Sequence, residues 1–403
     1  MTRQLRIALA SSGRFHLLDV ARELHALGHE AKFYSYVPRS RARHFGLPDE
    51  CHVSLLPFVF PAVAASRLLP KVVPRIVEKM EYFALNRAVS LRLQPCDVFV
   101  FMSGMYLEAA HFAKRRFGAK TILVRSSRHV LSQDRILAEC TTSERPSAET
   151  IRRELAGYGM ADLISIPSSH VEDSFQEFKI AKTDVIPYGV DLGMFPFRPR
   201  RAPADTFTFI NVGHWSFRKG SDILATAIRQ APGTRLVHVG TIKDIEFPHG
   251  DPQFVHYDSV QQATLARFYA YSDAFALASR EEGLSFVLVQ ALASGLPVIC
   301  TDRTGGADLA HTPALAARLT VVPHNNVSAL AAAMTELRNR LFGGDALPDL
   351  SQADLATLSW REYARRFSDV LLRVVKRGIL CDDSETSAAD HQGKSGRAEI
   401  FKH

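Results

Sequence analysis

The chain has 403 residues, 46% hydrophobic and 23% charged, with a formal net charge of +7. That composition excludes a disordered or fibrous polymer, and the length suits two globular domains, each burying its own core. The positive balance fits nucleic acid, an anionic membrane face or an acidic small substrate; nucleic acid ranks last, because Lys and Arg are spread along the chain with no RNA-module or zinc-finger pattern.

Five cysteines (Cys51, Cys96, Cys140, Cys300 and Cys381), odd in number and without a C-x-x-C pair, argue for a reducing compartment and against a disulfide frame or structural zinc. The N-terminus, MTRQLRIALASSGRF, has one strand-length apolar run, and no stretch approaches the ~18 apolar residues of a membrane span. A cytoplasmic protein is expected.

From the N-terminus, RIALA (6–10) reads as a strand and FHLLDVARELHALGHE as a helix with Leu17, Val20, Ala21 and Leu24 on one face, followed by the strand AKFYSYV. DVFVFMS, KTILVRS, DLISIPS and TDVIPYG continue the rhythm to residue 189. A segment rich in Pro and Arg, FPFRPRRAPAD (195–205), resembles a linker, and a second series follows: FTFINVG, TRLVHVG, QFVHYD, DAFALAS, PVICTD and LTVVPHN. Strands alternating with helices predict two doubly wound α/β domains. The last periodic element, SWREYARRFSDVLLRVVKR (359–377), is an amphipathic helix, and the polar stretch after it is expected to be disordered.

Residues 63–92 carry six basic and two acidic residues, net 6 − 2 = +4, among apolar ones. Two readings stand: a surface resting on anionic lipid, or ordinary amphipathic helices with solvated faces broken at Pro70 and Pro74.

The most informative stretch is EEGLSFVLVQALASGLPVIC (281–300). Leu284, Val287, Leu288, Ala291 and Leu292 have the spacing of a helix packed on a sheet, so the helix is expected to start near Leu284, at the carboxyl edge of strand DAFALAS. Its free N–H groups there suit an anion. Glu281 and Glu282 beside it are either hydrogen-bond acceptors for a polyol or acids favourably placed at a helix start, worth about 0.3–1 kcal/mol.

This segment resembles the donor-site segment of family 4 of the retaining glycosyltransferases, with Glu282 at the first position of the E-x7-E motif and Gln290 at the second. IPYGVDLGMF (186–195), VGHWSFRKGSDIL (212–224), TGGADL (304–309) and the closing Ser-Trp helix are similar to further family segments in the same order. The resemblance covers most of residues 5–378, strongly in the second half and loosely in the first. It implies the GT-B architecture: two Rossmann-like domains facing a central cleft, an acceptor-binding domain over 1–195, a nucleotide-sugar-binding domain over 206–358, a helix over 359–378 crossing back to the first domain, and a disordered tail over 379–403.

Carried over residue by residue, the resemblance makes Lys219 the cation on the donor diphosphate. His214, after Gly213, stands where the family has an arginine, and Arg218 is the neighbouring cation able to replace it. Glu282 orients the sugar, and the N–H groups of Gly283, Leu284 and Ser285 meet the phosphates. Gln290 meets the ribose with one neutral acceptor in place of a carboxylate, a weakening of about 1 kcal/mol. Gly13 occupies the place of the glycine-rich first loop, and His129, in VRSSRHVLSQDRIL, resembles a histidine near the reacting sugar.

The expected activity is metal-independent, retaining transfer of a sugar from a nucleoside diphosphate donor, such as a UDP- or GDP-sugar, to an acceptor hydroxyl. The acceptor is a saccharide or lipid-linked saccharide in cell-envelope polysaccharide or lipopolysaccharide synthesis, with peripheral contact at the inner face of the membrane. No other cofactor and no metal is expected. The alternatives are a catalytically impaired nucleotide-sugar-binding partner subunit and a sugar-nucleotide epimerase on the same scaffold. A Rossmann oxidoreductase is disfavoured, since no G-x-G-x-x-G follows a strand.

Overall fold

The computed structural model describes residues 3–60, 74–140, 144–198 and 206–392, of which 74–78 and 377–392 are described by backbone alone. Two parallel sheets organise the chain. The first has seven strands, β1 (Arg6–Ala10), β2 (Glu30–Ser35), β3 (His52–Ser54), β4 (Val98–Met102), β5 (Lys120–Val124), β6 (Leu163–Ile166) and β7 (Thr183–Val185), in the order β3-β2-β1-β4-β5-β6-β7. The second has six, β8 (Phe207–Val212), β9 (Thr234–Val239), β10 (Phe254–Tyr257), β11 (Ala274–Leu277), β12 (Val298–Thr301) and β13 (Leu319–Val322), in the order β10-β9-β8-β11-β12-β13.

Each sheet has the doubly wound pattern, with the order reversing beside its first strand. In the first, β1 pairs in parallel with β2 on one side and β4 on the other; in the second, β8 pairs with β9 and β11. Loops diverge at such a reversal, and the crevice outside the carboxyl ends of these strands is where open α/β sheets take ligands.

By its internal contacts the chain forms two compact units. One comprises Met1–Leu123, Met160–Leu163 and Arg365–His403; the other comprises Val124–Gly159 and Ile164–Ala364. In the first unit, helix Phe15–Ala26 buries Leu17, Val20, Ala21 and Leu24 as the periodicity requires, and His29 Nε2 lies 2.7 Å from Ser368 Oγ. In the second, Phe207, Phe209, Trp215, Leu224, Ile228, Leu236 and Met334 form the core on one side of the six-stranded sheet.

Several elements differ from expectation. Strand β3 was not anticipated: three residues at a sheet edge are too short to display a period of two. The helix expected from Leu284 runs over Phe286–Ala293, because Ser285 is extended, with φ −79° and ψ 121°. The final helix runs over Trp360–Gln392, so the expected disordered tail is helical up to Gln392, and residues 393–403 lie outside the described residues. So do most of the expected linker (199–205) and residues 63–73 of the basic segment, whose remainder forms helix Pro74–Arg92.

The loop between β8 and helix Ser221–Gln230 is tightly fitted. Gly220 has φ +64°, and a Cβ there would sit 2.0 Å from the Ala278 carbonyl oxygen. Gly220→Ala should therefore destabilise the second unit by about 1–3 kcal/mol, read as a thermal midpoint lower by several degrees; an unchanged midpoint would show that the loop yields freely.

Candidate functional site

Lys219 and Glu282 come from loops leaving adjacent strands, β8 and β11, at the reversal of strand order. Their side chains form an ion pair between Lys219 Nζ and Glu282 Oε2, with Lys219 only 9% exposed. Arg218 lies in the same cluster. Its Nε donates to Glu144 Oε2 at 2.6 Å, and its Nη1 donates to the Glu281 carbonyl oxygen at 3.1 Å and stands 3.5 Å from Glu281 Oε2 and 3.6 Å from Glu282 Oε2. Lys243 Nζ closes the group on Glu144 Oε1 at 2.5 Å.

The cluster thus pairs the cations Lys219, Arg218 and Lys243 with the anions Glu282, Glu281 and Glu144. Burial pushes the Glu282 carboxyl up, but Lys219 and Arg218 outweigh it, and the pKa falls below the ordinary carboxylate value. Burial likewise works against the Arg218 charge, and Glu282, Glu281 and Glu144 overcome it, raising that pKa. The acids in front of the helix are thus explained by pairing with Lys219 and Arg218 rather than by the helix dipole alone, which contributes less.

The turn 281–283 is held from its other side. Glu281, fully buried, accepts from the Ser127 hydroxyl, which in turn accepts from Gln133 Nε2 at 3.2 Å. Ser168 Oγ donates to the Gly283 carbonyl oxygen at 2.9 Å, and His170 Nε2 lies 2.8 Å from the Glu282 carbonyl oxygen. A Cβ on Gly283 would sit 2.0 Å from the Ser126 carbonyl oxygen, so the residue must be glycine for steric rather than torsional reasons. Gly283, Leu284 and Ser285 are all buried, and on this side the turn is covered by the 126–127 and 167–170 loops.

The remaining expected residues divide. Gly213 and His214 belong to the same loop as Lys219; the Gly213 carbonyl oxygen lies 3.0 Å from His238 Nε2, and His214 has its pKa lowered by burial and by Lys243. Gln290, 9% exposed, has its Oε1 3.4 Å from the Tyr269 hydroxyl. Gly13 lies after β1 in the other unit, where a Cβ would make only ordinary contact with the Phe15 ring.

His129 requires a correction. Its ring is fully buried, stacked on Phe178 at 4.0 Å and packed against Tyr158 and Phe175, and its Nδ1 accepts from the Leu131 N–H at the start of helix Val130–Glu139. It is a helix cap inside an aromatic cluster and touches none of the Lys219–Glu282 group. The loop was a reasonable place to look, but an Arg-Ser-Ser-Arg-His run does not show which side chain turns inward.

Sequence reasoning missed Ser127, Glu144, Ser168, His170 and Lys243. Ser168 and His170 follow β6, and a general rule that loop residues after strands reach sites could have found them. Glu144 and Lys243 have no local signal.

The architecture is thus a pair of doubly wound parallel α/β sheets with an ion-paired cluster at the reversal point of the second. Residues 206–340, which span the second sheet, match the family model described as glycosyl transferases group 1. An uncharacterized glycosyltransferase of Methanocaldococcus jannaschii is 28% identical over 173 residues, 37% of this chain and 42% of the relative, so the match spans less than half of that protein.

Among solved structures, sucrose-phosphate synthase from Thermosynechococcus elongatus aligns over 93% of this chain and 100% of its own, with TM-score 0.67 and 17% identity. WaaG, a glycosyltransferase involved in lipopolysaccharide biosynthesis, aligns over 92% and 98%, with TM-score 0.56 and 15% identity. Anabaena HepE in complex with UDP-glucose aligns over 94% and 100%, with TM-score 0.56 and 13% identity. These likenesses establish the two-domain GT-B fold.

The buried imidazoles make stability depend on pH. Burial lowers His129 to about 4, with Arg125 adding to the effect, and lowers His170 and His238 to about 4. Unfolded histidine titrates near ~6.5, so between these values the unfolded chain binds more protons and stability falls as pH falls. That stability is fully present above the unfolded value and lost as pH drops toward about 4. Urea titrations at pH 7 and pH 5 should show a smaller loss for His129→Asn, which keeps the cap acceptor; an equal loss would exclude His129 from this dependence.

Proposed function

We propose that the chain is a retaining, metal-independent glycosyltransferase using a nucleoside diphosphate-sugar. The observation that carries this reading is the meeting of Lys219, Arg218 and Glu282 at the carboxyl ends of β8 and β11, beside the start of helix Phe286–Ala293. Ligands in open α/β sheets gather at such a place, and WaaG and the UDP-glucose complex of HepE share the fold.

On this reading Lys219 and Arg218 neutralise the leaving diphosphate, aided by the N–H groups at Gly283 to Ser285. Because both cations are already paired with carboxylates, donor binding exchanges part of that pairing for phosphate oxygens. Glu282, freed on one side, accepts from sugar hydroxyls. Gln290 meets the ribose through the part of its carboxamide that Tyr269 does not occupy. The acceptor hydroxyl attacks from the face that the leaving group vacates, so configuration is kept, and positioning with charge stabilisation supplies the rate. The acceptor is a saccharide or lipid-linked saccharide of the cell envelope. Exposed Met80, Phe83 and Leu91 on helix Pro74–Arg92 support peripheral contact with an anionic membrane face, and failure to sediment with anionic vesicles would remove that part.

One observation favours the alternative of a nucleotide-sugar-binding partner subunit without turnover: Gln290 has no charge to offer the ribose and shares its oxygen with Tyr269. Thermal shift against UDP, GDP and their sugars tests binding, since a ligand at 100 times its Kd adds about 2.7 kcal/mol. Lys219→Ala should lower turnover by about 100-fold or more, measured below the variant's own thermal midpoint because it leaves Glu282 without its lysine, and undiminished turnover would remove Lys219 from the mechanism. Gln290→Glu should tighten nucleotide binding by about 5-fold, the equivalent of about 1 kcal/mol; weaker binding would mean that the carboxamide is fitted to its present partner.

A further inference from the structure

A second concavity in the same unit, of about 450 Å³, lies between helix Val130–Glu139 and the loops leaving β11, β12 and β13. Its lining holds four arginines and a histidine, and three of these five side chains are paired with carboxylates. Arg135 is paired with Glu177 at 2.7 Å, Arg280 with Asp222 at 2.7 Å, and His324 with Asp302 at 2.8 Å. Two guanidiniums on the wall are not. Arg128 is 7% exposed; its Nε donates to Ser132 Oγ at 3.1 Å and its Nη1 to the His170 carbonyl oxygen at 3.0 Å, and neither acceptor is charged. Arg303 makes no hydrogen bond or ion pair among the described residues. The wall carries one carboxylate outside these pairs, Glu139, which is exposed.

Burying a charge without a counter-charge is costly unless a partner arrives. The two guanidiniums also repel each other: burial and then the Arg303 charge lower the Arg128 pKa, outweighing the more distant Glu281, Glu177 and Asp173, none of which hydrogen-bonds it. Like charges held together beside a cavity are relieved by an anion. The fork of Arg303 and the Nη2 of Arg128, which neither of those bonds uses, suit a doubly charged tetrahedral oxyanion that offers several oxygens. The volume exceeds what a bare ion needs and falls within the ~300–1,000 Å³ range of small-molecule sites.

We propose that Arg128 and Arg303 form a phosphate-binding site in this pocket, separate from the Lys219–Glu282 cluster. The ligand is either the free ion or the phosphate of a small phosphorylated sugar. The site stands whether or not the transferase reading holds, because it rests on a different set of side chains.

Calorimetric titration of the full chain at constant ionic strength tests it, with inorganic phosphate and glucose 6-phosphate as probes. Saturable binding to the wild type should weaken about 10-fold or more in Arg303→Ala, the loss of one charged, forked contact. It should stay within about 2-fold in Lys219→Ala, which disables the other anion site. Arg303→Lys, which keeps charge but not the fork, should fall between. A thermal midpoint unchanged in the Arg303 variants, and titration of Lys219→Ala well below its own midpoint, exclude unfolding as the cause. A sugar phosphate binding 10-fold more tightly than phosphate identifies a phosphorylated substrate or effector, and equal affinities identify the ion. Undiminished binding in Arg303→Ala, loss in Lys219→Ala alone, or no binding to the wild type overturns the proposal.

Discussion

The second unit depends on one electrostatic constraint: Lys219 is buried and Glu282 half-buried, so each charge leans on the other, with Arg218 as a second cation beside Glu282. A buried ion pair gives little net stability compared with apolar packing, yet removing one partner costs about 3–5 kcal/mol. Such a pair specifies geometry more than it stabilises. It fixes the loop after β8 against the loop after β11 at the point where neighbouring connections run to opposite sides of the sheet, and Arg218, Glu281, Glu144 and Lys243 extend the same constraint outward.

The polar chain behind the turn carries this order further. Arg125 donates to Gln133 Oε1, Gln133 to Ser127, and Ser127 to Glu281, with Glu154 neutralising Arg125 at 2.8 Å. Its ends, Glu281 and Arg125, are buried, and Ser127 and Gln133 between them are half-buried, so an unsatisfied end would cost more than its bond contributes. The 281–283 turn therefore has little freedom. Gly283 adds a steric lock, because it packs on the Ser126 backbone with no room for a side chain.

The fold was largely legible because periodicity survives burial. Twelve of the thirteen strands fall on apolar runs readable without the structure, and β3, three residues long, was the exception. The site was half legible. Lys219 stands out because a lysine before a helix start is electrostatically awkward and invites a partner, and Glu282 because the segment 281–300 resembles a known donor-site motif. His129 misled because its position in a loop after a strand is shared by surface, cap and site residues, and only packing tells them apart. Glu144 and Lys243 were invisible since they meet across 99 residues of sequence.

The two groups of cations in this unit are prepared differently for an anion. Lys219 and Arg218 are already neutralised, so a ligand there must displace carboxylates and benefits only by the difference between two pairings. Among the described residues Arg128 and Arg303 are hydrogen-bonded to no carboxylate, so an incoming oxyanion displaces none and loses chiefly its own desolvation. His170 links the groups: its carbonyl oxygen accepts from Arg128, and its ring holds the Glu282 backbone at 2.8 Å. The two groups thus share His170 as a neighbour, while the cations of each come from different loops, so each set is prepared for an anion by its own pairing.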